Sequence, residues 1–162
     1  TPASLSVRPV CYAGFLGALA AAAADTWATE LGVRWTARPW SLRTGARVSA
    51  GASGAVSLGG TVAAALGAGS VAVAAALVGG TPGPLAWNAI PGIVGAGLVG
   101  MTVDSVVGAF VQARYRDPVM GRWRETPPHE NDTPARGWRG VDNEVVNLLG
   151  TTAGALAAIL FW

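Results

Sequence analysis

Apolar residues fall into four long segments, and nearly all the charge lies between them. The segments run from about Val10 to Gly32, Gly54 to Gly79, Trp87 to Ala113 and Val141 to Trp162. Each is close to or above the roughly 20 residues that cross a hydrocarbon core. Ala-rich runs of this length satisfy their backbones in lipid by forming helices. The pattern predicts an all-α chain, one domain over 1–162, built as an integral membrane bundle of about four transmembrane helices. No long internal repeat is visible.

The connections differ in character. Residues 33–53 hold Arg34, Arg38, Arg43 and Arg47 and no acid. Thr81 to Ala86 is a short uncharged turn rich in Pro and Gly. Residues 114–140 form a long polar loop with six Arg and four acids. With four alternating spans, both Arg-bearing loops lie on one side, and the positive-inside rule makes that side cytoplasmic. Trp35, Trp40, Trp87, Trp138 and Trp162 fall near the ends of spans, as an interfacial belt requires. Small residues recur every four positions, as in Gly14/Ala18/Ala22, Gly59/Ala63/Gly67, Gly92/Ala96/Gly100 and Gly150/Gly154. Such stripes let helix backbones approach closely in lipid, and packing explains them fully.

Composition sharpens this. Charged residues make up 12% of the chain, against about 25% in soluble domains. None lies between Val48 and Val103. A formal charge of +2 gives no reason to expect a nucleic-acid partner. All eleven basic residues are Arg. Without Lys there is no complete P-loop and no Schiff-base chemistry. One cysteine, Cys11, and one histidine, His129, cannot build an ordinary zinc site.

The polar residues inside the spans carry the chemistry, because an ionisable group in lipid is costly. Asp25 and Glu30 lie in the first span, Asp104 in the third, and Asp142, Asn143 and Asn147 open the fourth. The topology brings all six toward the cytoplasmic half as catalytic candidates. Asn143, Asn147, Gly150 and Gly154 share one helix face, as do Gly100, Asp104 and Gly108. Glu30 is offset from Asp25 by about 140° on an ideal helix, so it approaches from the helix end or serves another partner. Facing carboxylates are tolerated around a divalent cation, and oxygen ligands suit magnesium. Asp25, Asp104 and Asp142 are the expected metal ligands; the alternative is that each Asp only hydrogen-bonds across helices. The run Arg43-Thr44-Gly45-Ala46-Arg47 leads to Gly51-Ala52-Ser53-Gly54 and the second span, with Ser57 just inside it. A Gly-rich approach to a helix start offers free amides to an anion, and Arg43 and Arg47 would clamp phosphate oxygens. Thr44, Gly45, Ser53, Gly54 and Ser57 complete this expected phosphate site. The alternative is that these Arg only mark topology at lipid headgroups.

Four strings in order resemble the integral membrane family called domain of unknown function 92. They are Ala24-Asp25-Thr26-Trp27-Ala28-Thr29-Glu30-Leu31-Gly32, the run Gly51 to Thr61, Asp104-Ser105-Val106-Val107-Gly108-Ala109 with Gln112, and Val141-Asp142-Asn143-Glu144-Val145-Val146-Asn147. That family includes plant phytyl-phosphate kinases. The resemblance implies phosphorylation of a prenyl monophosphate to its diphosphate, with a nucleoside triphosphate as co-substrate and magnesium. Membrane lipid is the surrounding partner and a homodimer the expected assembly. A transporter or flippase of a polyprenyl phosphate or another anion is the competing expectation. Two departures stand out: only about ten residues precede the first span, so the family's upstream helices are expected to be missing. The stretch Arg116 to Gly121 also lacks the paired cysteines often found before the last helix.

Overall fold

A computed structural model describes residues 2–36, 38–78, 87–129 and 132–162, with side chains from residue 9 onward. Four long helices form the bundle: α1 (Pro2–Trp35), α2 (Leu58–Val78), α3 (Ile90–Phe110) and α4 (Asn143–Phe161). Among the described residues four stretches are long and apolar enough to cross a membrane: Pro9–Trp35, Leu58–Val78, Ile90–Phe110 and Asn143–Phe161. The Thr81–Ala86 turn lies outside the described residues. Helix α1 packs against all three others, α3 also packs on α4, and α2 touches α3.

The interior is made mostly of the smallest side chains, with Leu16, Ile93, Met101 and Val146 the larger ones buried among them. Ala20, Ala24, Ala64 and Ala68 have no exposed surface, whereas Leu58 is 78% and Leu160 82% exposed. Soluble proteins bury their large apolar residues; here lipid solvates them and the helices close on methyl groups and backbone. The approach is tight. A Cβ on Gly17 would lie 2.3 Å from the Gly154 carbonyl oxygen, and one on Gly100 would lie 2.4 Å from Ala21 Cβ. The small-residue stripes of α2, α3 and α4 are thus contact lines, whereas on α1 the contact runs through Gly17, Ala20, Ala21 and Ala24, and Ala22 of the expected stripe is exposed. All five belt tryptophans are exposed.

Both Arg-bearing loops fold at one end of the bundle. In the first, β1 (Trp40–Ser41) pairs antiparallel with β2 (Ala55–Val56), Trp40 opposite Val56. In the second, β3 (Tyr115–Arg116) pairs with β4 (Trp123–Arg124). Helix α2 begins at Leu58 and not at Gly54, because Gly54 takes φ 67° and belongs to the turn before β2. A Cβ on Gly54 would also meet Ala109 Cα at 2.5 Å. The long second loop is folded, not merely solvated. Asp117 Oδ1 accepts from the amides of Val119 and Met120, both at 2.9 Å, and closes the β3–β4 turn. Those amide bonds, Met120 first, hold the Asp117 carboxyl below its ordinary range. Arg114 pairs with Glu125 at 2.5 Å and Arg124 with Asp117 at 3.3 Å. The Trp138 amide donates to Val111 O at 3.0 Å, which ties the loop to the end of α3.

Candidate functional site

The polar end of the bundle holds a cavity of about 380 Å³. It forms where α1 and α3 finish and α2 and α4 begin. Helix α1 contributes Asp25, Thr29 and Glu30, α3 contributes Asp104 and Ser105, and α4 contributes Asn143 and Asn147. The segment from Ala50 to Ser57 forms another wall, and Gln112 and Glu125 complete the lining. Three segments far apart in sequence therefore meet, as their polar residues predict. Glu30 reaches the same cavity as Asp25 despite its angular offset, because the cavity opens at the helix end.

Local structure explains how each wall is held. Ser57 Oγ accepts from Gly60 N at 3.0 Å and so caps the first turn of α2. Ser53 Oγ bonds Gly108 O at 3.2 Å and also the buried Gln112 side chain, pinning the Gly-rich segment to the end of α3. Gln112 is only 3% exposed, and its Nε2 has no partner among the described residues. Asp104 Oδ2 is likewise buried with no hydrogen-bond partner among them. A Cβ on Gly150 would lie 3.1 Å from Asp104 Cβ, so α4 offers a bare backbone to this carboxylate.

Two groups of expected site residues stand elsewhere. Asp142 is the exposed N-cap of α4, its Oδ1 accepting from Val145 N at 3.0 Å, and it does not line the cavity. Of the expected trio, Asp25 and Asp104 line the cavity, and Asp142 stands at the helix start. The reason is that the start of a helix holds four free amides, and a carboxylate at that position satisfies one of them. Among the described residues no three His, Cys, Asp or Glu side chains gather closely enough to hold one metal ion. Arg43, Thr44, Gly45 and Arg47 also lie off the cavity. They form the far end of the first loop, where the Arg47 guanidinium stacks 3.5 Å from the Trp40 ring centroid and donates to Arg38 O. Ser53, Gly54 and Ser57 do line the cavity.

Sequence reasoning missed Glu125. It lies in a loop with several other charges, and only the β3–β4 pairing turns it toward the cavity. Gln112, which closes the third family-like string, is buried beside Ser53 and anchors the Gly-rich segment to the end of α3. Among the described lining residues there are four acids, Asp25, Glu30, Asp104 and Glu125, and no Arg. Arg114 is held beside the cavity through Glu125.

The donor set is hard: two intramembrane carboxylates, the amides of Asn143 and Asn147, and hydroxyls of serine and threonine. Magnesium takes such ligands, and it commonly uses only one or two carboxylates because waters and substrate phosphates fill the rest. The unpartnered Asp104 Oδ2 fits a group that accepts a cation. A smaller cavity of about 100 Å³ adjoins, sharing Asp25, Thr26, Asp104 and Asn147.

The family model described as integral membrane protein DUF92 matches residues 2–155. No solved structure matches the chain.

Proposed function

The chain belongs to the DUF92 family of integral membrane proteins, and from that premise we propose that it is a membrane-embedded kinase. It would convert a prenyl monophosphate to its diphosphate at the expense of a nucleoside triphosphate, on the cytoplasmic face. The observation that carries this reading is the larger cavity. It sets Asp25 and Asp104 opposite the Gly-rich Ala50–Ser57 segment at the polar end of a lipid-facing bundle.

In the proposed reaction an oxygen of the acceptor monophosphate attacks the γ-phosphorus of the nucleotide. The bond from that phosphorus to the β-bridging oxygen breaks, and the nucleoside diphosphate leaves with the electron pair. The attacking oxygen is already ionised, so no side chain need remove a proton. Catalysis is then positioning and charge neutralisation, as in phosphoryl transfer generally. Asp25 and Asp104 would hold magnesium, with Asn143 and Asn147 as neutral oxygen donors or orienters. Bound there, the ion supplies positive charge opposite the phosphate oxygens. Backbone amides near Ser53 and Gly54, and the Ser57 hydroxyl at the start of α2, would orient a phosphate. The positive end of the α2 dipole points the same way.

The test is direct. Purified protein in lipid nanodiscs is given magnesium, a panel of nucleoside triphosphates, and phytyl or geranylgeranyl monophosphate. Formation of the prenyl diphosphate with matching nucleotide consumption is expected. No diphosphate with any nucleotide would end the kinase reading. Prenyl phosphate translocation without nucleotide turnover would replace it with the flippase reading.

A further inference from the structure

We propose that the smaller cavity is the chain-exit subsite for the acceptor. It takes the first isoprenoid carbons of a single-chain phosphate amphiphile whose head lies in the larger cavity. This inference rests on reading the larger cavity as a phosphate-head site.

The two cavities are continuous in their lining: Asp25, Thr26, Asp104 and Asn147 belong to both. Beyond these, the smaller one adds Ala21 and Ala22 from α1, Gly100 from α3, and Gly150 and Thr151 from α4. Each added residue lies about one helical turn from a shared one. Ala21 and Ala22 precede Asp25, Gly100 precedes Asp104, and Gly150 and Thr151 follow Asn147. Helices α1 and α3 run toward the polar end and α4 runs away from it. All three steps therefore lead the same way, from the polar end into the hydrocarbon.

The chemistry of the wall changes along that step. Around the larger cavity the lining is carboxylates, amides and hydroxyls. One turn deeper it is alanine methyls and glycine backbone, with Thr151 Oγ1 already bonded to Asn147 O at 2.8 Å. Asp25 and Asp104 line its mouth, and beyond them no new charged group appears, so the deeper part suits a hydrocarbon chain rather than a second headgroup.

The floor is closed. A Cβ on Gly100 would meet Ala21 Cβ at 2.4 Å and Gly150 O at 2.7 Å. A chain that enters cannot continue through the bundle. Ala22 on α1 and Asn147 on α4 are exposed at the rim of this cavity, and the proposed route leads the chain out between these two helices. One narrow seam of about 100 Å³ accommodates one chain, which favours a prenyl phosphate over a two-chain phospholipid.

The experiment uses the full chain in nanodiscs and a prenyl monophosphate carrying a photoreactive diazirine near its head. Labelled peptides are mapped after irradiation. Label is expected on α1 and α4 around Ala22 and Thr151, displaced by geranylgeranyl monophosphate but not by phosphatidic acid. Label on α2 or in the loops overturns the proposal, and equal displacement by phosphatidic acid overturns the single-chain assignment. Ala22→Phe and Thr151→Phe then test the route by binding. Loss of two or three buried methylenes should weaken geranylgeranyl monophosphate about tenfold or more, while inorganic phosphate, which has no chain, binds as before. Equal loss for both phosphates counts against the exit route. Wild-type labelling at the seam without diphosphate formation would remove the kinase reading and leave the chain subsite standing.

Discussion

Asp104 has few ways to satisfy its charge. It stands one turn from Gly100 on α3 and faces the bare backbone of Gly150 on α4, and its Oδ2 has no hydrogen-bond partner. Asp104→Asn keeps the shape and removes the charge. Under the kinase reading, turnover should fall about a hundredfold or more, the usual scale for losing one preorganised electrostatic group. The melting temperature in detergent should hold or rise, because an uncharged amide costs less to bury. Equal loss of fold and activity would count against a charge-specific role. Ser53→Ala makes a contrasting case. It strips the hydroxyl from the buried Gln112 amide and from Gly108 O. A stability loss of about 1–3 kcal/mol is expected from the polar groups left unpaired, read from thermal or denaturant unfolding. At this scale the sequence was legible wherever polarity itself was anomalous. Asp25, Asp104, Asn143 and Asn147 stand out because lipid penalises them. Glu125 and Arg47 do not stand out, since each is one charge among several in a loop. Only the pairing of short strands decides that Glu125 turns inward and Arg47 stacks on Trp40.

The start of α4 offers a decisive comparison. As an N-cap, Asp142 can be replaced by Asn with little loss, because both side chains accept from the Val145 amide. Asp142→Ala should cost about 0.5–2 kcal/mol, as N-cap removal does elsewhere. Asp142→Asn should retain activity within a small factor. A collapse of activity in Asp142→Asn with unchanged stability would restore Asp142 to the metal set. Helix pairing makes a second prediction. Gly17→Leu places a side chain where even a Cβ would lie 2.3 Å from Gly154 O. The α1–α4 contact must then open, at a cost of at least about 1–3 kcal/mol for overpacking, seen as a lowered melting temperature. Gly137 is bound more tightly still: its φ is 75°, and a Cβ would fall onto Gln112 O. Helix positions were readable from hydropathy, and the contact faces of α2, α3 and α4 from the spacing of small residues; α1 is small on nearly every face, so spacing alone did not single out Gly17, Ala20, Ala21 and Ala24. The loops were not. Four two-residue strands carry too little pattern to announce themselves, and the start of α2 moved to Leu58 because glycines at positive φ build a turn where apolar composition alone suggests more helix.

For the whole molecule, both Arg-bearing loops lie at the end that holds the larger cavity, which supports the four-span topology expected from charge asymmetry. In a Cys11→Ala background, Trp40→Cys and Pro84→Cys should be labelled by impermeant reagents from opposite sides of a sealed vesicle. Labelling of both from one side would refute the alternating four-span topology. The bundle's interior has a further consequence. Ala20, Ala24, Ala64 and Ala68 have no exposed surface, while leucines and valines cover the outside. A library of all single substitutions should therefore yield the photographic negative of a soluble protein's tolerance map. Leu, Val, Ile and Phe on the perimeter should exchange freely with one another, while nearly every change that adds even one carbon to an inward Ala or Gly should be lost.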